Sequence, residues 1–192
     1  MCGLGAILRV RAAHERTPAD PIPDAWLDAI DGAVAHRGPD GSGRYRGSYE
    51  RSDGTVIHVA LVHRRLSIID PETGRQPMIR PTPQGELAIA FNGCIYNHRP
   101  LRRELESLGH TFRSDHSDTE TLLAGWVQWD RDLFRRLDGM FSLVLWDGRA
   151  GTLIAARDAF GEKPLYGWAA PGVVCITNVP AAASAALRTA GA

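Results

Sequence analysis

The chain has 192 residues, 44% hydrophobic and 23% charged, with 22 Lys plus Arg against 22 Asp plus Glu. That length supports one domain whose core stands without staples, and zero net charge gives no pull toward nucleic acid or an acidic membrane. No apolar run approaches the roughly 20 residues that span a bilayer, and no signal-peptide pattern opens the chain.

Gly3 to Val10 reads as a short apolar strand, and 12–23, with three prolines, as a loop. Asp24 is placed to cap a helix carrying Trp26, Leu27, Ile30 and Val34 at near-helical spacing. It ends before a glycine-rich turn over 36–43. Val56 to Val62 is weakly alternating and β-branched, a strand pattern, and Arg64 to Asp70 holds a further short apolar run. Residues 71–85, with four prolines and two glycines, predict a loop, and Leu87 to Phe91 a buried strand running into Asn92-Gly93. Leu101, Leu105 and Leu108 mark a helix stopped at Gly109. Ser117-Asp118-Thr119-Glu120 matches a capping box ahead of Leu122, Leu123, Trp126 and Val127. Leu133, Phe134 and Leu137 mark a helical turn closed by Gly139. Phe141–Trp146, Leu153–Arg157, Leu165–Trp168 and Val173–Thr177 read as a strand meander, before an Ala-rich end that is a frayed helix or tail. Strands in runs argue for antiparallel sheets with helices layered on them, not a doubly wound fold.

Three features carry chemistry. Cys2 follows Met1 and is small enough for methionine removal, which would place an α-amine titrating near pH 8 beside its own thiol as an internal base. Alone, a Cys after Met is more often only a small residue. Phe91-Asn92-Gly93 could present a side-chain amide and a bare backbone N–H as an oxyanion hole, although Asn-Gly is also a hairpin-turn signal. Arg65 and Asp118 have the charges to hold the carboxylate and ammonium of a free amino acid; each also reads as an ordinary surface or first-turn residue. The turn at 36–43 lacks a P-loop ending. The cysteines Cys2, Cys94 and Cys175 lack CxxC spacing, and the histidines form no metal pair. No metal or cofactor is therefore expected, and the free thiols fit a reducing, cytoplasmic setting.

Taken in order, Met1-Cys2-Gly3, His36-Arg37-Gly38-Pro39-Asp40-Gly41-Ser42-Gly43, His63-Arg64-Arg65-Leu66-Ser67-Ile68-Ile69-Asp70, Gln76-Pro77-Met78, Asn92-Gly93-Cys94-Ile95-Tyr96-Asn97, Ser117-Asp118-Thr119-Glu120, Gly139-Met140-Phe141 and Arg157-Asp158 through Tyr166 form one series. It resembles the class II glutamine amidotransferase domain at the front of glutamine-dependent asparagine synthetases, over roughly residues 2–178. The resemblance implies an α+β fold, a four-layer αββα N-terminal-nucleophile sandwich with two antiparallel sheets, as domain 1–178 followed by a tail 179–192. It implies glutamine hydrolysis through a cysteinyl thioester. Cys2 would be nucleophile and, by its amine, base; Asn92 and Gly93 would form the oxyanion hole. Arg65 would hold the α-carboxylate and Asp118 the α-ammonium, with Ile68 and Ile69 lining the pocket.

Two positions depart from the family pattern. Cys94 stands where the family has a Glu that helps bind the substrate ammonium. A charge-assisted contact is worth roughly 1.5–3 kcal/mol, or one to two decades of affinity. Thr177-Asn178 replaces Ser-Glu, and no ATP-using signature follows. A separate ammonia-accepting synthetase or synthase is therefore expected as partner. The competing readings are an amidase or acyltransferase acting on another amide, and a non-catalytic regulatory module.

Overall fold

The computed structural model describes residues 1–14, 21–66 and 74–190, with the side chains of 187–190 excepted. Its elements are β1 (Gly3–Arg11), α1 (Asp24–Val34), β2 (Gly41–Glu50), β3 (Val56–Arg65), β4 (Met78–Thr82), β5 (Gly85–Ile95), α2 (His98–Ser107), α3 (Asp118–Trp129), β6 (Gly139–Asp147), β7 (Thr152–Arg157), β8 (Tyr166–Ala170), β9 (Val173–Thr177) and α4 (Pro180–Ala190). One antiparallel sheet runs β2-β3-β1-β9-β8 and the other β4-β5-β6-β7. Helices α1 and α4 pack together on the outer face of the first sheet, and α3 covers the outer face of the second. This is the four-layer αββα sandwich expected. No described helix is long and apolar enough to cross a membrane.

Period-2 alternation sorts the core into three layers. On β3, Val59 and Leu61 face the second sheet while Ala60 and Val62 face α1. On β5, Ala88 and Ala90 face the first sheet while Leu87, Ile89 and Phe91 face α3. The middle layer is thus filled by Leu4, Ala6, Leu61, Ala90, Val144 and Trp146, all buried. Leu27, Ile30 and Val34 fall on one face of α1, so that helix is held by its apolar stripe.

Several local expectations are corrected. Asp24 does not cap α1: Pro23 is the N-cap residue and Asp24 opens the first turn. The capping box is half formed. Ser117 Oγ accepts from Glu120 N–H, but the Glu120 carboxylate turns to Arg113 N and Ser114 N at 2.9 Å each. Asn92-Gly93 is not a hairpin turn; it is mid-strand in β5, paired with Ser142 and Phe141. Residues 41–43 belong to β2, and the loop predicted over 71–85 contains β4. Both are edge strands, where polar residues and Pro81 are tolerated and the apolar signal is weak. The meander is also split. β7 and β8 follow each other in sequence yet lie at edges of different sheets.

Candidate active site

At one end of the middle layer the inward positions turn polar. Cys2, His63, Asn92 and Ser142 follow Leu4, Leu61, Ala90 and Val144 at two-residue steps, on the same faces of their strands. One step past the Gly3–Arg64 pair, Cys2 comes level with Arg65. Alternation separates the two neighbouring arginines. Arg64 points to the helix side and forks onto Asp31 of α1 at 2.6 and 2.7 Å, so Arg65 belongs to the face that bears Cys2.

Cys2 is held at several points. Its N–H donates to Asn92 Oδ1 at 2.9 Å. Its carbonyl accepts from Asn178 Nδ2 at 2.9 Å and Arg37 Nε at 3.1 Å. Asn178 Oδ1 in turn accepts from Leu4 N–H at 3.0 Å. The Cys2 sulfur lies against Leu66, accepting from its N–H at 3.4 Å. The donor at Cys2 fixes the Asn92 amide orientation, so Asn92 Nδ2 is the other end of the amide, 3.5 Å from Ser142 Oγ, with the second of its two N–H donors uncommitted among the described residues. Met1 is about half exposed, its sulfur 3.5 Å from Lys163 Nζ.

Register places the Gly93 N–H. Even-numbered residues of β5 bond toward β6, as the continuation Tyr96 N–H to Asp138 O shows at 2.7 Å; odd-numbered ones bond toward β4. β4 pairs with residues 85–89, and no described strand pairs with the edge beyond them. There Phe91 N–H donates to Gln76 Oε1 at 2.6 Å, and Ile95 N–H to Asp118 Oδ2 at 3.2 Å. The Gly93 N–H lies between these two on the same edge, and no described side chain caps it. A Cβ at Gly93 would sit 2.2 Å from Met140 O, so only glycine fits against β6. A Cβ at Gly43 would sit 2.1 Å from Gln76 O, so the bare β2 backbone lets the Gln76 segment approach.

The electrostatics follow from burial. Burial pushes the Asp118 carboxyl above the usual carboxylate range, against the Ile95 and Thr119 hydrogen bonds that favour its ionised form. Burial, and then the Asp118 charge, push the Cys94 thiol up, with Lys163 opposing. Cys94 therefore stands near Asp118 as a neutral thiol. Burial lowers His63 to about 4, opposed by its bond to Phe91 O and assisted by Arg65. His63 Nε2 lies 3.0 Å from that carbonyl, tying the first sheet to β5. Because the carbonyl only accepts, Nε2 carries the proton.

Cys2, Asn92, Gly93, Cys94, Arg65 and Asp118 are thus gathered around one end of the two facing sheets. Ile68 and Ile69 lie outside the described residues. Gln76, His63, Arg37 and Asn178, not singled out by sequence as site residues, form the frame. All three cysteines are free thiols, and among the described residues no cluster of His, Cys, Asp or Glu is arranged to hold a metal.

A family model described as the glutamine amidotransferase domain matches residues 1–185. The chain belongs to that family. It is 43% identical over 166 residues to asparagine synthetase [glutamine-hydrolyzing] 1 of Bacillus subtilis, covering 86% of this chain and 24% of that one. A probable asparagine synthetase of Dictyostelium discoideum is 35% identical over 180 residues, covering 93% and 29%. The chain therefore spans roughly a quarter of the length of these relatives. Among solved structures, the glutamine phosphoribosylpyrophosphate amidotransferase of B. subtilis overlays with a TM-score of 0.64 at 20% identity. That match covers 96% of this chain and 43% of that one and speaks to the fold. The domain is a class II glutamine amidotransferase domain with the N-terminal-nucleophile hydrolase fold.

Proposed function

We propose that the domain hydrolyses the glutamine side-chain amide to glutamate and ammonia, with Cys2 as nucleophile once Met1 is removed. The observation that carries this reading is the 2.9 Å bond from Cys2 N to Asn92 Oδ1, beside a Gly93 N–H directed to an edge of β5 that no described strand covers. In that arrangement the freed α-amine takes the thiol proton, and the thiolate attacks the amide carbon. Asn92 Nδ2 and Gly93 N–H receive the oxyanion. Collapse expels ammonia, which takes the proton from the α-ammonium. Water, activated by the same amine, then cleaves the thioester. Arg65 holds the substrate carboxylate and Asp118 its ammonium. The ammonia passes to a synthetase or synthase outside these 192 residues.

The test is glutamate release from glutamine by protein whose N-terminus mass analysis shows to begin at Cys2. Turnover abolished by Cys2→Ala supports the reading. Turnover that persists in Cys2→Ala, or its absence from processed protein supplied with an acceptor enzyme, overturns it.

A second reading rests on Cys94. A neutral thiol beside Asp118 gives the pocket one anionic group fewer than the family pattern, which favours an amide substrate with a less cationic end. An amide panel separates the two: preference for glutamine removes the second reading.

A further inference from the structure

A cavity of about 610 Å³ lies away from Cys2, on the α3 side of the second sheet. One wall is β4 and the segment before it; the other is the 111–117 segment leading into α3. The volume is that of a small-molecule pocket. Met78 and Arg80 pair with Ile89 and Leu87, whose side chains face α3, so both share that face. The Cys2 site lies on the other face.

The lining combines an apolar floor, Met78, Phe112 and Leu123, with the guanidinium groups of Arg75, Arg80 and Arg113. Glu120 also lines it, but its carboxylate is engaged by Arg113 N, Ser114 N and Ser114 Oγ at 2.9, 2.9 and 2.7 Å. Arg80 is half-buried. Among the described residues it makes a single long hydrogen bond, 3.5 Å to Thr111 O. Burial, and the charge of Arg113, disfavour its protonated form, while Glu120 favours it. A partly desolvated guanidinium with most of its five donors unspent, at the wall of an apolar cavity, is matched by an oxyanion.

We propose that this cavity binds a small molecule bearing a carboxylate or phosphate on an apolar or aromatic body, the oxyanion held by Arg80 and Arg113 and the body by Met78, Phe112 and Leu123. The site does not depend on glutamine hydrolysis. Its walls do continue into Gln76 and Asp118, the residues that cap the β5 edge on either side of Gly93.

The test is isothermal titration of the full chain with AMP, benzoate and inorganic phosphate, with adenosine as neutral control. AMP or benzoate is expected to bind once per chain below about 1 mM, with inorganic phosphate weaker and adenosine silent. The better of the two distinguishes phosphate from carboxylate. Arg80→Met should weaken binding about 10- to 100-fold, as loss of a charge-assisted contact does. Arg80→Lys should restore part of it. If Arg80→Met does not fold, Arg113→Gln, at an exposed side chain, decides alone. Cys2→Ala should bind like the unaltered protein, so failure of the glutaminase reading leaves this one standing. The proposal is overturned if no anion binds below about 1 mM, if adenosine binds as tightly as AMP, or if affinity survives both Arg80→Met and Arg113→Gln.

Discussion

The two ends of the layer between the sheets use the same strands and the same faces for opposite purposes. At one end Ala6, Leu61, Ala90 and Val144 close a dry core, each essentially without exposure. One step along each strand, or two on β1, stand Cys2, His63, Asn92 and Ser142. The backbone scaffold is continuous across the boundary, since β1–β3 and β5–β6 stay in register through both ends. What changes is how side chains are satisfied. In the core, shape alone suffices. At the site each polar group is fixed by a partner from another strand, as Cys2 is by Asn92 and His63 by the Phe91 carbonyl. Rigidity at the site is therefore inherited from the core, while chemistry comes from substituting polar groups at the next inward position.

Substitutions at the two ends should fail in different ways. Cys2→Ala should abolish glutamine hydrolysis with no loss of unfolding free energy in a denaturant titration. Asn92→Ala should lower kcat by about 100- to 1000-fold, the usual effect of losing one oxyanion donor. Leu61→Ala, at the apolar end, should do the reverse. It should lose about 2–5 kcal/mol of stability by opening a cavity, with kcat preserved in the molecules that remain folded. A Cys2→Ala protein as unstable as Leu61→Ala would break the division of labour.

His63 lies on the boundary, and pH should expose it. Its folded pKa of about 4 is depressed below the ordinary value near 6.5. Between those values the unfolded chain binds a proton that the folded chain refuses. Stability is thus full above about pH 6.5 and is lost as pH falls toward 4, by roughly 3 kcal/mol in total. His63→Gln, which keeps a donor for the Phe91 carbonyl, should flatten that part of the stability–pH profile. An unchanged profile would mean that His63 is not the group responsible.

Much of this was legible in sequence because it is local. The apolar period of α1, the half-buried strands and the Ser117 cap each depend on neighbours a few residues apart. Cys2, Asn92, Gly93 and Asp118 stood out by type and by order along the chain. The frame did not. Asn178 reaches Cys2 across 176 residues, and His63 reaches Phe91 across 28, so no short window contains either pair. The change at Thr177-Asn178 read as a departure from the family, yet Asn178 clamps the backbone of Cys2 and Leu4. The edge strands β2 and β4 were hidden for another reason. A strand with one neighbour and one wet face needs few apolar residues, and β2 buries only Tyr45.

The smallest expected effect tests what kind of end-group the polar site recognises. Cys94 follows Asn92 on the inward face of β5 and is paired with Met140. The Asp118 charge, after burial, helps hold its thiol neutral. Cys94→Glu would place a second carboxylate near Asp118. Without ligand the two acids would repel, and the glutamate or Asp118 would hold its proton to higher pH. A bound α-ammonium would relieve that repulsion and gain a second charge-assisted contact, worth about 1.5–3 kcal/mol. Cys94→Glu should therefore lower KM for glutamine by about 10- to 100-fold with kcat little changed. The gain should fade on acidification, beginning above the usual carboxylate range because Asp118 itself is raised. If the native substrate carries no ammonium, the same substitution should weaken its binding, and a rise in KM for that amide with no gain for glutamine would favour the second reading of the site.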